Sequence, residues 1–180
     1  THPPKIRRKK NMKKKFLSLI LGAAMTASMM VAPAMAAEAP IDLTGVDVEN
    51  AKVGISIYKF DDNFMTLYRT ELVRYLTEDL GFKEENITVT DGKNDQAEQN
   101  NQINNFITAG VDVMILNLVQ SSSAPQVTDL CNEAGIPVVY INRQPEEAES
   151  DRWESEGIKA TYVGADARQS GTFQGEEILE

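Results

Sequence analysis

The chain has 180 residues and a formal net charge of −9, and its basic residues are unevenly distributed. Eight of the 18 lysines and arginines lie in residues 1–15, so the remainder carries 10 basic and 27 acidic residues, a formal charge of −17. Such an acidic chain repels the phosphates of nucleic acids and of anionic lipids, which excludes both as expected partners. With one histidine, His2, and one cysteine, Cys131, the sequence also excludes an internal disulfide, a histidine-based active site and a multi-cysteine metal site from the exported part.

Residues 12–36 have the pattern of a secretory signal peptide. Three lysines follow Met12, an apolar run begins at Phe16, and small residues lead to a cleavage pattern that ends at Ala36. We therefore interpret residues 1–11 as an upstream, non-native segment, expect cleavage after Ala36, and expect residues 37–51 to form a flexible leader. Because no cysteine lies at the end of the signal peptide, no lipid anchor is expected, and the chain is predicted to be periplasmic and not inserted in a membrane. The alternative is that the apolar run is retained as an anchor helix.

Strands and helices are predicted to alternate from Lys52 onward. Short apolar runs rich in β-branched residues predict five strands, at residues 52–58, 87–90, 113–116, 137–141 and 161–163. Amphipathic stretches that end at glycines predict helices at residues 64–80, 95–109 and 124–134, and a further helix is predicted at residues 167–180. This alternation predicts the α/β class with a doubly wound parallel sheet, in which the first strand is central.

Two polar segments are assigned from weaker patterns. Residues 94–105 are rich in Asn and Gln, but Ile103 and Phe106 recur at helical spacing, so a solvated helix is expected there. The acidic segment 146–156 contains few apolar residues. It is therefore expected to form a surface loop, with Trp153 as an aromatic residue of that loop.

Polar and aromatic side chains follow the carboxyl ends of the predicted strands, where ligands bind in open α/β sheets. A carboxylate accepts hydrogen bonds from neighbouring hydroxyls, an amide donates and accepts, and a ring face covers an apolar patch of C–H groups. These are the requirements of a sugar site. The alternative is that Asp61 or Asp62 merely caps the following helix and that Phe64 belongs to the core. The residues that follow strands one, three and four are Asp61, Asp62, Asn63, Phe64, Asn117 and Asn142.

Six blocks of the sequence also carry a family resemblance. They are, in chain order, Tyr58–Met65, Lys93–Gln96 with Gln99–Asn100, Asn117–Val119, Pro137–Val139, Asn142–Pro145 and Tyr162–Asp166. Together they resemble the galactose- and glucose-binding branch of the type I periplasmic binding proteins. The first block is the most specific for that branch, whereas the last is shared across the superfamily. The resemblance implies a protein of two Rossmann-like lobes, of which residues 52–163 would be the N-terminal sugar-binding lobe and the second lobe would be missing.

The resemblance also implies roles for individual residues. Asp62 resembles the carboxylate that binds the ring hydroxyls, Phe64 the ring that covers one face of the sugar, and Asn142 an amide ligand from the same lobe. Tyr58 and Arg143 resemble residues that border the pocket, although Arg143 stands where a lysine is usual in the family.

Other residues are assigned to the surroundings of that site. Asn117 is expected to support the ligands from behind rather than to contact the sugar. Val163, Gly164 and Asp166 resemble the first hinge crossing, so residues 164–180 would be the hinge and the first helix of the truncated second lobe. The structural calcium of the family belongs to that second lobe, and neither a cofactor nor a metal ligand is expected in this chain.

The function that the resemblance implies is capture of a hexose, such as galactose, glucose or methylgalactoside, for the permease of an ABC importer. A monomer is expected, and a chemoreceptor is a further partner that the family implies. The alternative within the superfamily is another sugar, either a pentose or a furanosyl signal molecule.

An exported enzyme is the alternative outside the superfamily, and the sequence speaks against it. Asp61 and Asp62 are adjacent, whereas glycosidase carboxylates flank the scissile bond at separations of roughly 5–9.5 Å. The chain also contains no dinucleotide-binding, P-loop or nucleophile-elbow motif. A non-enzymatic binding protein is therefore predicted.

Overall fold

The computed structural model describes residues 43–165 and 167–179, so the predicted signal peptide and the predicted hinge residue Asp166 lie outside the described residues. Within the described ranges no helix is long and apolar enough to cross a membrane. The strands are β1 Val53–Ile57, β2 Ile87–Asp91, β3 Val113–Leu116, β4 Val138–Ile141 and β5 Ala160–Val163. The helices are α1 Asn63–Arg74, α2 Gln96–Ala109, α3 Ala124–Glu133, α4 Glu147–Glu156 and α5 Ala167–Leu179. A π-helical turn, Tyr75–Asp79, continues α1.

The five strands form one parallel sheet in the order β2-β1-β3-β4-β5, which confirms the predicted α/β class and the doubly wound sheet. The position of the first strand was predicted wrongly. β1 is an interior strand, but β3 occupies the middle because β2 adds on one side of β1 while β3, β4 and β5 extend the sheet on the other. The strand order therefore reverses between β1 and β3, and such a switch point opens a crevice at the carboxyl ends of the two strands.

The alternating side chains of β3 divide between two hydrophobic clusters, one on each face of the sheet. Met114 and Leu116 pack with apolar residues of α2, α3 and α4, whereas Ile115 packs with Met65 and Leu76 from the α1 segment. β1 has no side chain larger than serine on the α2 face. A Cβ at Gly54 would lie 2.8 Å from the Phe106 ring, so glycine permits the close approach of α2.

The acidic segment 146–156 was wrongly predicted to be a loop, since residues Glu147–Glu156 form α4. Trp153 is only 6% exposed and stacks on Tyr140 at 5.4 Å between ring centroids. Its indole N–H donates to Glu149, which is also buried and paired with Arg152. The helix therefore packs on the sheet through one aromatic residue and one neutralised carboxylate, while its other acidic residues face solvent.

The segment 94–105 forms a helix as predicted, but two of its glutamines are not solvated. Gln99 and Gln102 are buried, and both hydrogen-bond to Ser56 of β1. A buried amide is stable only when its polar atoms are paired, and here β1, the end of β2, the loop after β3 and Glu98 of the same helix supply the partners.

Candidate functional site

Asp62 lies at the start of α1, and both of its carboxylate oxygens accept hydrogen bonds. Oδ1 accepts from the backbone N–H of Met65 at 2.7 Å, which makes Asp62 the N-cap of the helix. Oδ2 accepts from the Tyr58 hydroxyl, also at 2.7 Å. The Met65 amide and then the Tyr58 hydroxyl hold the pKa of Asp62 below its usual value, so the group is an ionised acceptor near neutral pH. The cap assignment that the sequence left open is therefore correct for Asp62, whereas Asp61 is exposed and pairs with Lys59 at 3.2 Å.

Phe64 is the second residue of α1, and its ring is 61% exposed. The alternative expectation that it belongs to the core is therefore wrong. Its centroid lies 6.0 Å from that of Tyr68, one helical turn further along. The exposed ring of Phe64 and the ionised carboxylate of Asp62 thus lie two residues apart at the same edge of the sheet.

Tyr58 is buried beneath this edge and connects Asp62 to the loop after β4. Its hydroxyl donates to Asp62, and this hydrogen bond is the main reason that the pKa of Tyr58 is raised. The Arg143 guanidinium carbon lies 3.9 Å from the centroid of its ring. The Tyr58 hydroxyl thus orients the Asp62 carboxylate, and the Tyr58 ring packs in turn against the Arg143 guanidinium group.

Arg143 is half-buried, and the protein itself occupies part of its guanidinium group. One nitrogen, Nη1, donates to the backbone carbonyls of Leu118 and Val119. The side chain therefore connects the loop after β4 to the loop after β3 and to the Tyr58 ring. This geometry fits a residue that holds the border of the site, and its predicted contact with sugar stays a prediction.

Asn142 follows β4 and has a left-handed backbone, with φ at +61°. Its N–H donates to the Val163 carbonyl at 3.1 Å, and its carbonyl accepts from the Tyr162 hydroxyl at 3.1 Å. The residue is exposed at the same carboxyl edge as Asp62. Asn142 is thus bonded through its main chain to the end of β5, which begins the predicted hinge.

Asn117 lies directly after β3, at the switch point, and is fully buried. Its amide nitrogen contacts the Met65 sulfur at 3.2 Å, while no group among the described residues hydrogen-bonds its buried Oδ1. A buried carbonyl oxygen normally has a partner. The Oδ1 of Asn117 is therefore a buried acceptor without a partner among the described residues, in a side chain that contacts Met65.

The glutamines of α2 hold the loop after β3, and the sequence interpretation missed this role. The Gln99 side chain donates to the Asn117 carbonyl and accepts from the Val119 N–H, both within 3.0 Å. Gln96 accepts from the Gln120 N–H at 2.9 Å. The available signal was the three-residue spacing of Gln96, Gln99 and Gln102, which places amides along the helix face that continues into Ile103 and Phe106.

The loop between β1 and α1 is also fixed by polar contacts that the sequence interpretation did not identify. Asp91, the last residue of β2, accepts from the Phe60 N–H at 3.1 Å. Arg69 of α1 donates to the Phe60 carbonyl and lies 4.0 Å from the centroid of its ring. The turn that carries Asp62 is therefore held from both sides before any ligand binds.

The two described hinge residues lie at the end of β5. Val163 is 54% exposed, and Gly164 follows the strand directly. Among the described residues, no group of three or more histidines, cysteines or carboxylates is placed to hold a metal ion.

Comparison with known proteins identifies the family. The model of the family described as "Periplasmic binding protein domain" matches residues 53–180. The chain belongs to this family. The D-galactose/methyl-galactoside binding periplasmic protein of Haemophilus influenzae is 35% identical over 129 residues, 72% of this chain and 37% of that relative. A Rhizobium meliloti protein named as rhizopine-binding is 35% identical over 128 residues, 71% of this chain and 39% of that one. The chain thus spans less than two fifths of the length of these periplasmic binding protein relatives.

Solved structures agree with the family assignment. An ABC transporter solute-binding protein from Bacillus halodurans with bound myo-inositol matches with a TM-score of 0.54 at 28% identity, over 68% of this chain and 38% of that one. A Caulobacter myo-inositol-binding protein matches with a TM-score of 0.60 at 22% identity, over 73% and 40% respectively, which concerns the fold alone. The five-stranded sheet is therefore a lobe of the periplasmic binding protein type.

Proposed function

We propose that this chain is the N-terminal lobe of an extracytoplasmic solute-binding protein that captures a hexose for an ABC importer. The observation that carries the proposal is the pairing of an ionised, pre-positioned carboxylate, Asp62, with the exposed ring of Phe64 at the carboxyl edge of a parallel sheet. The 35% identity to a galactose-binding relative supports a hexose as the ligand.

The proposed binding chemistry assigns a separate task to each group. Asp62 accepts hydrogen bonds from two neighbouring ring hydroxyls, because an ionised carboxylate has acceptor sites beyond the two that the protein fills. Phe64 covers the C–H face of the sugar. The exposed amide of Asn142 donates and accepts at the border, and the fully buried Asn117 supports these ligands from behind. Tyr58 and Arg143 hold this border in place.

The location, oligomeric state, transport partner and lobe organisation are proposed from the same family resemblance. We propose export to the periplasm with cleavage after Ala36, a monomeric protein, and delivery of the sugar to an inner-membrane permease. Residues 52–163 would form the sugar-binding lobe, with the hinge beginning at Gly164. A structural calcium ion would belong to a second lobe, and no catalytic role is proposed for any residue.

A cyclic polyol is the second candidate ligand. The Bacillus halodurans structure at 28% identity contains myo-inositol, which also presents ring hydroxyls and a C–H face. The proposed roles of Asp62 and Phe64 would be the same for both ligands. Only groups that contact the ring oxygen or the exocyclic carbon of a hexose would distinguish them.

A calorimetric titration of the complete protein tests these candidates. The panel contains galactose, glucose, methylgalactoside, xylose, arabinofuranose and myo-inositol. We expect the tightest binding for one of the hexoses and a loss of about tenfold for each 1.4 kcal/mol of missing contact. Tightest binding of myo-inositol would favour the second candidate, and binding of no member of the panel would contradict both.

A further inference from the structure

The end of β5 fixes the main chain of Asn142 at two points. The Asn142 N–H donates to the Val163 carbonyl, which continues the parallel pairing of β4 with β5. The Asn142 carbonyl accepts from the Tyr162 hydroxyl at 3.1 Å. The end of β5 thus binds both the N–H and the carbonyl of Asn142, whose φ of +61° is unusual for a residue with a Cβ atom.

Gly164 leaves room for the Tyr162 side chain to reach this position. A Cβ at residue 164 would lie 2.0 Å from the Tyr162 hydroxyl oxygen and 2.4 Å from the ring carbon that carries it. The backbone of Gly164 does not lie in the left-handed region, so an alanine is strained there by contact with Tyr162 and not by its own conformation. The glycine is therefore explained by the tyrosine two residues before it.

We propose that Tyr162 is a positioning residue that makes the conformation of Asn142 depend on the segment leaving the lobe at Gly164. The inference rests on the proposed function only in taking Asn142 as a site residue. Tyr162, Val163 and Gly164 are consecutive, so a rotation of the chain at Gly164 alters the space that the Tyr162 hydroxyl occupies.

The contact predicts how a displacement of the Tyr162 hydroxyl would affect Asn142. When the Tyr162 hydroxyl donates to the Asn142 carbonyl, it holds the left-handed backbone of Asn142. When the hydroxyl is displaced, Asn142 keeps the bond from its N–H to the Val163 carbonyl and the turn bond from the Arg143 N–H to the Ile141 carbonyl, but its own carbonyl loses its partner and the turn after β4 gains freedom. Movement at the exit of the lobe and the order of a site residue are thereby linked through one side chain.

Amide hydrogen exchange of the sugar-free complete protein tests the proposal directly. Tyr162→Phe keeps the ring and removes only the hydroxyl. We expect the amides of Asn142 and Arg143 to exchange about fivefold faster, the factor that one net hydrogen bond contributes. Tyr75→Phe, which removes a hydroxyl from an exposed tyrosine after α1, is the matched control and should leave these amides unchanged. Unchanged exchange of both amides in Tyr162→Phe would overturn the proposal.

Gly164→Ala provides a second and independent test. In the parent it should accelerate exchange at Asn142 as Tyr162→Phe does, because the new methyl group displaces the hydroxyl. In a Tyr162→Ala background, where no ring is left to displace, it should have no further effect. A further acceleration in that background would show that Gly164 acts by another route and would contradict the proposed contact.

Sugar titration of the same variants separates this inference from the proposed function. If Tyr162→Phe loosens Asn142 and also weakens hexose binding several-fold, both are supported. If it loosens Asn142 while hexose affinity is unchanged, the positioning role is supported and Asn142 is not a sugar ligand. If the parent binds no sugar at all, the proposed function fails, but the exchange result still decides the role of Tyr162.

Discussion

The two carboxylate oxygens of Asp62 accept hydrogen bonds from different partners, the Met65 amide and the Tyr58 hydroxyl. The first bond caps a helix, and the second orients the carboxylate that we propose binds the sugar. A substitution that keeps the cap and removes the charge separates the two roles. Asparagine meets this requirement, since it caps helices about as well as aspartate does.

Asp62→Asn should therefore leave the thermal stability of the complete protein near that of the parent. Its hexose affinity should fall on the order of 10²-fold, because hydrogen bonds to a charged acceptor contribute about 1.5–3 kcal/mol each. Asp62→Ala should lose the same affinity and, in addition, about 0.5–2 kcal/mol of stability with the cap. Calorimetry and thermal unfolding measure the two effects. Parental affinity in Asp62→Asn would leave the cap as the only role of the carboxylate.

Tyr58→Phe should change the pH dependence of binding. After the Met65 amide, the Tyr58 hydroxyl is the group that lowers the pKa of Asp62 most, so its removal raises that pKa. A depressed pKa keeps the carboxylate ionised, and the stabilised form is lost as pH falls through the folded value. The variant should therefore lose hexose affinity at a higher pH than the parent, in titrations between about pH 3 and pH 7. Superimposable pH profiles would exclude this support of Asp62 by Tyr58.

Phe64→Leu should weaken binding differently from the Asp62 variants. Leucine keeps an apolar cover but loses the ring face, so hexose affinity should fall by about 1–2 kcal/mol with the order of preferred sugars unchanged. Leu67→Ala is the matched control, because Leu67 lies one turn later on α1 and is 64% exposed. A similar loss in the control, or a changed order of sugars, would count against a stacking role for Phe64.

At the scale of the elements, the sequence predicted all five strands because each is a short apolar run bounded by polar residues. It did not predict α4, since ten mostly polar residues contain only Ala148 and Trp153 as apolar side chains. Nor did it predict that Gln99 faces inward, because a glutamine at a buried position is recognisable only when its partners are known. The candidate site was predictable at Asp62 because this residue lies in the short loop that follows the buried run of β1.

Glu149→Gln should test how α4 is held. Glu149 is 4% exposed, and although burial alone would raise its pKa, hydrogen bonds from Arg152, Thr128 and Trp153 hold it below its usual value. The paired form therefore stabilises the fold above the ordinary glutamate pKa, and this contribution is lost as pH falls through the folded pKa. The variant should lose about 1–3 kcal/mol of unfolding free energy near neutral pH and depend less on acid pH.

Chemical denaturation at several pH values measures this effect. Glu154→Gln is the matched control on the same helix, since Glu154 is exposed. It should change the unfolding free energy by no more than about 0.5 kcal/mol. An equal loss in both variants would mean that the net charge of α4, and not the buried pair, stabilises the helix.

At the scale of the whole molecule, the described residues would provide one wall of the proposed binding site. The proposed ligands Asp62, Phe64 and Asn142 all lie at one edge of one sheet, and Phe64 and Asn142 are exposed. A sugar on this wall alone would leave about half of its hydroxyls in water. The proposal of two lobes therefore implies that enclosure, and not the single lobe, supplies most of the affinity.

A protein of residues 37–180 should accordingly bind hexose more weakly than millimolar, whereas the complete protein should reach about micromolar affinity, a difference of about 4 kcal/mol. Calorimetry on both proteins measures it, and circular dichroism with the fluorescence of Trp153 establishes that the shorter protein is folded. Asp62→Ala is the control in each: it should reduce binding to the complete protein strongly and leave little to lose in the shorter one. Micromolar binding by residues 37–180 would contradict the two-lobed site, because the edge of this sheet would then be sufficient by itself.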